Sequence, residues 1–492
     1  MSNKRGGLAL RQYEYLVRSI GDQILKGDMA VGSKLPSERA TAQKFVVSRS
    51  TVRRAWRELE SLGYVTWSNQ STPVVIRPLE PMGRAERSPV GRLAETLSPT
   101  FLGDLMQAAV SSARYNFEIG MPDPELLPIQ DFQQILRELF SYPSREVFGY
   151  SPTLGLERVR RAISEEFLTR RGIAMSPHNI LVTAGSLQGL NLLTRLWVRP
   201  GDVILTESPT FAGALHIFRS HGAQILGIPI DESGINVDLL ESLTLGKNPR
   251  FLYIQPVGQN PTGVTLAPER RLKLLHWAQK SQIPIVEDDA YGFLSDEPTP
   301  PLASEDGKIP LVYLNTFSKI LAPGIRVGFL AAPADLIRQL VALKQLSDLH
   351  TGTLSQLVAE GWLRQGRVDT HIQRARTIYK GRLKLATRLI KQVTRLTPFA
   401  EPDHGFYLFA KLPPGQMAQS LHAKAAQRDV LFAPGNPFSP DGQLFGNWIR
   451  LAVGAQPSAQ IETGLRRLGR LLDDVTDGSS GSPRRTIKLL RS

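Results

Sequence analysis

Residues 315–329 read NTFSKILAPGIRVGF, in which Lys319 and Arg326 stand seven positions apart, with Thr316 and Ser318 alongside and a Pro323–Gly324 turn between. Two cations on so short a segment repel unless each meets a different part of one ligand. A lysine amine can add to an aldehyde and be held as a Schiff base. An arginine fork, joined by two hydroxyls, suits a phosphate. Upstream, Asn260 lies in QNPTG, and Asp288 and Tyr291 lie in EDDAY. The amide and the phenol can hydrogen-bond a phenolic oxygen, while the carboxylate can keep a ring nitrogen protonated so that the ring withdraws electrons.

Pyridoxal 5'-phosphate carries all of these features: aldehyde, pyridine nitrogen, phenolic oxygen and phosphate. A second half of the phosphate site is expected in TAGSLQG, where Gly185 lets the backbone approach and the N–H groups of Ser186 and Leu187 open a helix whose positive end favours anions. Phe211 in ESPTF is placed to stack on the ring. Taken singly, each has a plain structural reading: NPTG is a turn, DDAY a capped helix start, Phe211 a core residue, and a lysine near an arginine an ordinary surface feature. Their occurrence in this order, each where a strand is expected to end, favours the cofactor site.

The strands that would position them are short β-branched or aromatic runs: NILVTAG, DVILTESP, RFLYIQP, IPIVEDDAY and LVYLNTFSK. Helical stretches such as SLQGLNLLTRLWV and APERRLKLLHWAQKSQ separate most of them. This alternation predicts an α/β domain, with a mainly parallel buried sheet and helices on both faces. Ligands on such sheets gather at the carboxyl ends of the strands. After about residue 370, long amphipathic helices give way to GFYLFAKLP, DVLFAPG and WIRLAVG, a smaller α+β subdomain.

The N-terminal part has a different rhythm. Leu10, Tyr13, Leu16, Val17, Ile20 and Ile24 form a helical stripe. Ser37 is a candidate N-cap for a short second helix, and Ser48 caps a third in which Val52, Ala55, Leu59 and Leu62 face inward before Gly63. YVTWSNQSTPVVI reads as two short strands around a polar turn. Three helices and a hairpin make a winged helix-turn-helix. Arg49, Ser50, Thr51 and Arg53 are expected on the face of the third helix opposite Val52 and Ala55, where a recognition helix meets base edges. The expected divisions are 1–77 for DNA binding, 78–112 as linker, 113–476 as effector domain and 477–492 as a basic, disordered tail.

Charge agrees with this division. The chain of 492 residues carries +14, and residues 1–80 hold 13 Lys or Arg against 7 Asp or Glu. Four further cations, Arg484, Arg485, Lys488 and Arg491, lie in the last nine residues. An excess located at the ends points to a polyanion such as double-stranded DNA. The absence of cysteine excludes disulfides and thiolate metal sites, and the eight histidines lack metal-binding spacing. No apolar run approaches the roughly 18 residues of a membrane span, and the N-terminus lacks a secretory apolar core. A cytosolic protein is expected.

Residues from about 113 to 475 resemble the fold-type I aminotransferases, particularly the branch containing aminoadipate and kynurenine transaminases, in the order Tyr150, GSLQG, Phe211, NPTG, DDAY, SK with its arginine, and WIRL. Residues 10–76 resemble the GntR winged helix-turn-helix in LPSER and VSRSTVRRAWRELESLGY. In this order the two look like the MocR-type branch of GntR transcription regulators. The resemblance implies that Lys319 carries the cofactor and that Arg450 binds the carboxylate of an amino-acid effector. It makes Tyr150 a phosphate ligand donated by the neighbouring subunit of a head-to-tail homodimer, and Arg39 a DNA contact. Leu187 stands where related enzymes often have glutamine, and the wing lacks a Gly-x-Gly tip. The implied effector is an amine, an amino acid or pyridoxal phosphate itself. Two alternatives remain: a working aminotransferase with an accessory DNA-binding module, and a sensor that has lost its cofactor.

Overall fold

The computed structural model describes residues 16–75 and 113–479, except 18, 22, 25–28, 31, 46, 62–63, 68–71, 142–144, 297–298, 306–308 and 403. Leu10, Tyr13, Leu62, Gly63, the linker 78–112 and the tail beyond 479 therefore lie outside the described residues. The chain divides into two compact units, Met1–Ser98 and Pro99–Ser492.

In the first unit, α1 (Glu38–Phe45) and α2 (Arg49–Ser61) follow helical residues at 16–17, 19–21 and 23–24. Ser37 and Ser48 act as caps: the Ala40 N–H donates to Ser37 Oγ at 3.2 Å and the Thr51 N–H to Ser48 Oγ at 3.1 Å. Strands β1 (Val65–Thr66) and β2 (Val74–Val75) pair antiparallel, and Lys34 bridges to Val74 on the outer side. Leu16, Ile20, Val52, Ala55, Trp56 and Leu59 form the core of this unit. The helical stripe thus buries one face and leaves the other free for a partner.

The second unit opens with β3 (Tyr115–Phe117). Its main sheet contains β4 (Ile180–Thr183), β5 (Val203–Ser208), β6 (Gln224–Asp231), β7 (Gly234–Ile235), β8 (Leu252–Ile254), β9 (Ile285–Asp288), β10 (Leu311–Thr316) and β11 (Gly328–Ala331). Their order is β4-β11-β10-β9-β8-β5-β6-β7, parallel from β10 across to β6, with β11 and β7 antiparallel to their neighbours. Successive residues of a strand point to opposite faces, and here both faces are dry. Leu181, Val312, Leu314 and Leu330 pack with Leu190 and Leu193 of α3 (Ser186–Trp197). Ile180, Val182, Tyr313 and Phe329 pack on the other side with Phe167 and Trp362.

The smaller sheet has the order β12-β13-β15-β14-β3, with β12 (Thr397–Pro398), β13 (Tyr407–Lys411), β14 (Val430–Pro434) and β15 (Trp448–Ala452). Two long helices, Val368–Val393 and Ser458–Ser479, cover it through Leu383, Ile390, Leu465 and Leu468. The last helix runs through Ser479, so the expected boundary at 476 falls within it.

Candidate functional site

Parallel strands aim their carboxyl ends at one edge of the main sheet, and the expected site residues follow those ends. Asp288 closes β9, Asn260 lies beyond β8, Ser186 opens α3 after β4, and Phe211 precedes α4 (Ala212–Ser220) after β5. Lys319 and Arg326 belong to the connection from β10 to β11, two strands whose register pairs Thr316 with Gly328.

The floor of the site is a buried polar cluster. Asp288 is 4% exposed. Its Oδ2 accepts from Tyr253 Oη at 2.7 Å and from Gln255 Nε2 at 3.4 Å. Its Oδ1 is buried and has no hydrogen-bond partner among the described residues. Burial raises the carboxyl pKa to about 6, against the lowering effect of Tyr253, Gln255 and the nearby Lys319. An orphaned, destabilised carboxylate oxygen is what a protonated pyridine nitrogen would satisfy. Gln255 also joins this floor to its surroundings: Oε1 accepts from the Asn260 N–H at 3.2 Å, and its own N–H donates to Glu207 at 3.1 Å. Burial lifts the Glu207 carboxyl to about 8.

At the phosphate end, Gly185 has φ 88° and caps α3, turning the first N–H groups of the helix outward. Its positive φ is one that side-chain-bearing residues rarely adopt, and a Cβ there would stand 2.8 Å from Arg326 Nη2, so a larger residue would both strain the backbone and displace the guanidinium. Arg326 donates to the Ala184 carbonyl at 2.8 Å and itself takes a left-handed backbone, φ 51°. Thr316 and Ser318 hydroxyls lie 3.0 Å apart. Leu187 and Phe211 flank Gly213.

On the other side stand the two cations of the ligand space. Lys319 Nζ donates to the Gly120 carbonyl at 2.7 Å and lies 5.8 Å from the Tyr291 ring. Arg450, 2% exposed, donates from Nη1 to Asn260 Oδ1 at 3.1 Å and from Nη2 to the Glu118 carbonyl, while its buried Nε has no partner among the described residues. Its guanidinium lies over the Tyr407 and Phe438 rings, at 4.6 and 4.9 Å. Burial pulls its pKa down. Tyr291 Oη lies 2.7 Å from Tyr407 Oη, and burial followed by this neighbour pushes the Tyr291 phenol well above its ordinary value. Tyr150 is 89% exposed, its ring edge-to-face with His350 at 5.9 Å.

Tyr253, Gln255, Glu207 and Tyr407 were not among the expected site residues. Tyr253 and Gln255 alternate on one face at the end of β8, and polar groups at period two in an otherwise apolar strand are the signal that reveals them. Tyr407 lies 116 positions from its Tyr291 partner, a pairing that no local pattern encodes.

In the first unit, Arg39, Arg49, Ser50 and Arg53 are exposed. Thr51 is not: it is 9% exposed, with its hydroxyl 2.7 Å from Ser48 Oγ. The expectation that Thr51 faces outward is corrected: four and eight residues before the core residues Ala55 and Leu59, it lies on the inward face, where Ser48 engages its hydroxyl. Arg53 and Arg49 both donate to Glu38, at 2.9 and 3.0 Å for Arg53 and 3.5 Å for Arg49. The Arg53 hydrogen bond is the main reason that the Glu38 carboxyl titrates below its usual value.

Comparison with known proteins accounts for both units. Residues 123–468 match the family of class I and II aminotransferases, and residues 12–75 match the bacterial regulatory proteins of the gntR family. The HTH-type transcriptional regulator YisV of Bacillus subtilis is 30% identical over 93% of this chain and 94% of its own. The probable rhizopine catabolism regulatory protein MocR of Rhizobium meliloti is 27% identical over 86% of each. Among solved structures, the α-aminoadipate aminotransferase LysN of Thermus thermophilus, complexed with N-(5'-phosphopyridoxyl)-L-leucine, superposes with TM-score 0.72 at 30% identity, over 78% of this chain and 97% of that one. The unpartnered Asp288 oxygen and the Gly185–Arg326 cradle fit pyridoxal phosphate, the cofactor of this fold. A GntR helix-turn-helix binds DNA, and the aminotransferase fold takes a small-molecule ligand. The chain belongs to the class I and II aminotransferase family in its MocR-type form, a GntR transcription regulator whose effector domain is built on that fold.

Proposed function

We propose that this regulator senses a carboxylate-bearing amine, captured between Lys319 and Arg450, and that capture alters DNA binding. The observation that carries the reading is that one segment occupies both cations: the Glu118 carbonyl accepts from Arg450 and the Gly120 carbonyl from Lys319. An amino acid presents the same pair of demands, its carboxylate to Arg450 and its amine to the cofactor held at Lys319. Bound pyridoxal phosphate supplies an electrophilic carbon and an electron-withdrawing ring. Asp288 holds the proton on the ring nitrogen, Asn260 and Tyr291 fix the phenolic oxygen, and Arg326 with Thr316, Ser318 and the start of α3 holds the phosphate. Lys319 Nζ both anchors the cofactor and can move a proton at the amine carbon.

Cofactor attachment at Lys319 would displace the Gly120 carbonyl, and an effector carboxylate at Arg450 would displace the Glu118 carbonyl, freeing the segment that follows β3. A ligand shifts a regulator only by its differential affinity for two arrangements, and exchange of these contacts supplies that difference. We place the protein in the cytosol, as a homodimer in which Tyr150, exposed in one protomer, reaches its partner's phosphate. The complete set of chemical groups also favours a second reading, residual transamination. Titration with amino acids, ω-amino acids and taurine, read by visible absorption and by DNA binding together, tests the proposal. A ligand that changes both signals in wild type and neither in Arg450→Ala is expected; ligands that turn over to keto acids at about 1 per second or faster without affecting DNA binding would establish the enzyme instead.

A further inference from the structure

We propose that Glu38 is a specificity-determining residue of the DNA-binding unit, holding Arg53 as the base-reading arginine and leaving Arg49 to the phosphate backbone. The inference rests on the DNA-binding reading of α2. Glu38 opens α1, and its side chain is only 13% exposed, whereas those of Arg53 and Arg49 are 57% and 67% exposed. The carboxylate is therefore the fixed member of the trio.

The two arginines are held differently. Arg53 meets Glu38 at two points, Nε on Oε1 and Nη2 on Oε2, while Arg49 reaches Oε2 through Nη2 alone at 3.5 Å. A guanidinium has five N–H donors in a fixed fork. The contact with Glu38 uses the side edge of Arg53 and leaves the outer edge, Nη1 and the second Nη2 hydrogen. That edge is able to meet guanine O6 and N7 together. Arg53 is thus oriented before any duplex arrives, at the cost of freedom it would otherwise lose on binding.

Arg49, with one long contact, can turn to a phosphate, a contact that positions the protein without reading sequence. Thr51 cannot compete for the bases, because its hydroxyl is engaged by Ser48. The negative charge of Glu38 has a second effect. Lying against both cations, it reduces their attraction for phosphates in general, so a duplex that offers no guanine to Arg53 gains less from the encounter.

The test uses the full-length protein, a duplex recovered by in-vitro selection with wild type, and a scrambled duplex of equal length and composition. Glu38→Gln should weaken binding to the selected duplex about tenfold or more and strengthen binding to the scrambled one, with a steeper dependence on salt. An unfolded variant cannot strengthen the second. Arg53→Ala should lower the ratio of the two affinities similarly, and the double variant should fall no further than Arg53→Ala alone. Arg49→Ala should weaken both duplexes alike. An unchanged affinity ratio in Glu38→Gln, or losses in Glu38→Gln and Arg53→Ala that simply add, overturns the inference while leaving the DNA reading in place. Failure of wild type to enrich any duplex overturns both.

Discussion

Two arginine–carboxylate pairs show how differently the two units use charge. In the effector unit, Arg171 and Asp289 are 3% and 0% exposed, joined at 3.1 Å, and the same carboxylate oxygen accepts from Tyr313 at 2.7 Å. In the DNA-binding unit, the Arg53 side chain of the Glu38 pair is 57% exposed. The first pair is almost wholly withdrawn from water. Gly292 shows how tightly: a Cβ there would lie 2.1 Å from Asp289 Oδ1 and 2.3 Å from Arg171 Nη2. The second can be opened by a polyanion. Burial converts a charge pair into architecture, here holding the residue next to Asp288, whereas exposure keeps it available for recognition.

The largest expected effect follows from removing half of the sealed pair. Arg171→Ala leaves Asp289 buried without its cation and should destabilise the effector unit by ~3–5 kcal/mol, measured by urea unfolding. A change well under 1 kcal/mol would place this pair in the same class as an exposed one.

The pH dependence of stability sharpens the contrast next. Asp288 titrates near 6 in the folded protein against an ordinary 3.8, so between these values the folded state holds more protons than the unfolded one. Stability without cofactor therefore falls as pH rises through that window. Glu207 and Glu287, raised from 4.5 to about 8 by burial, extend the fall to higher pH. Asp288→Asn should flatten the lower part of the curve, and an unaltered slope between pH 4 and 6 would show that Asp288 is not the group responsible. Glu38, shifted in the opposite direction, adds no such loss.

The smallest effect belongs to the exposed helix. Ser48→Ala removes the acceptor for the Thr51 N–H and should cost about 1 kcal/mol in the DNA-binding unit, read as a lowered melting temperature of its transition. An unchanged transition would mean that water replaces the cap without loss.

Much of the main sheet was legible because β4, β8, β9 and β10 are buried on both faces and so begin as apolar or aromatic runs, with polar residues only toward their carboxyl ends. β6 escaped notice because its burial is broken and Gly227 and Pro229 interrupt it; β11 is short, begins at Gly328 and follows the turn that carries Arg326. The site was legible where chemistry sits beside a strand end, as with Asp288 and Lys319. It was not legible where function depends on contacts between distant positions: Tyr407 on Tyr291, or Glu38 under Arg53. Thr51 was misplaced although the helix itself argues against it: Ala55 and Leu59, four and eight residues on, are core residues, so Thr51 falls on the inward face.

The most direct measurement is borohydride reduction of the pyridoxal phosphate-loaded protein followed by peptide mass mapping. A phosphopyridoxyl group on the peptide containing Lys319 is expected, and its loss in Lys319→Ala. Label on another lysine, or on none, would contradict the cofactor site described above.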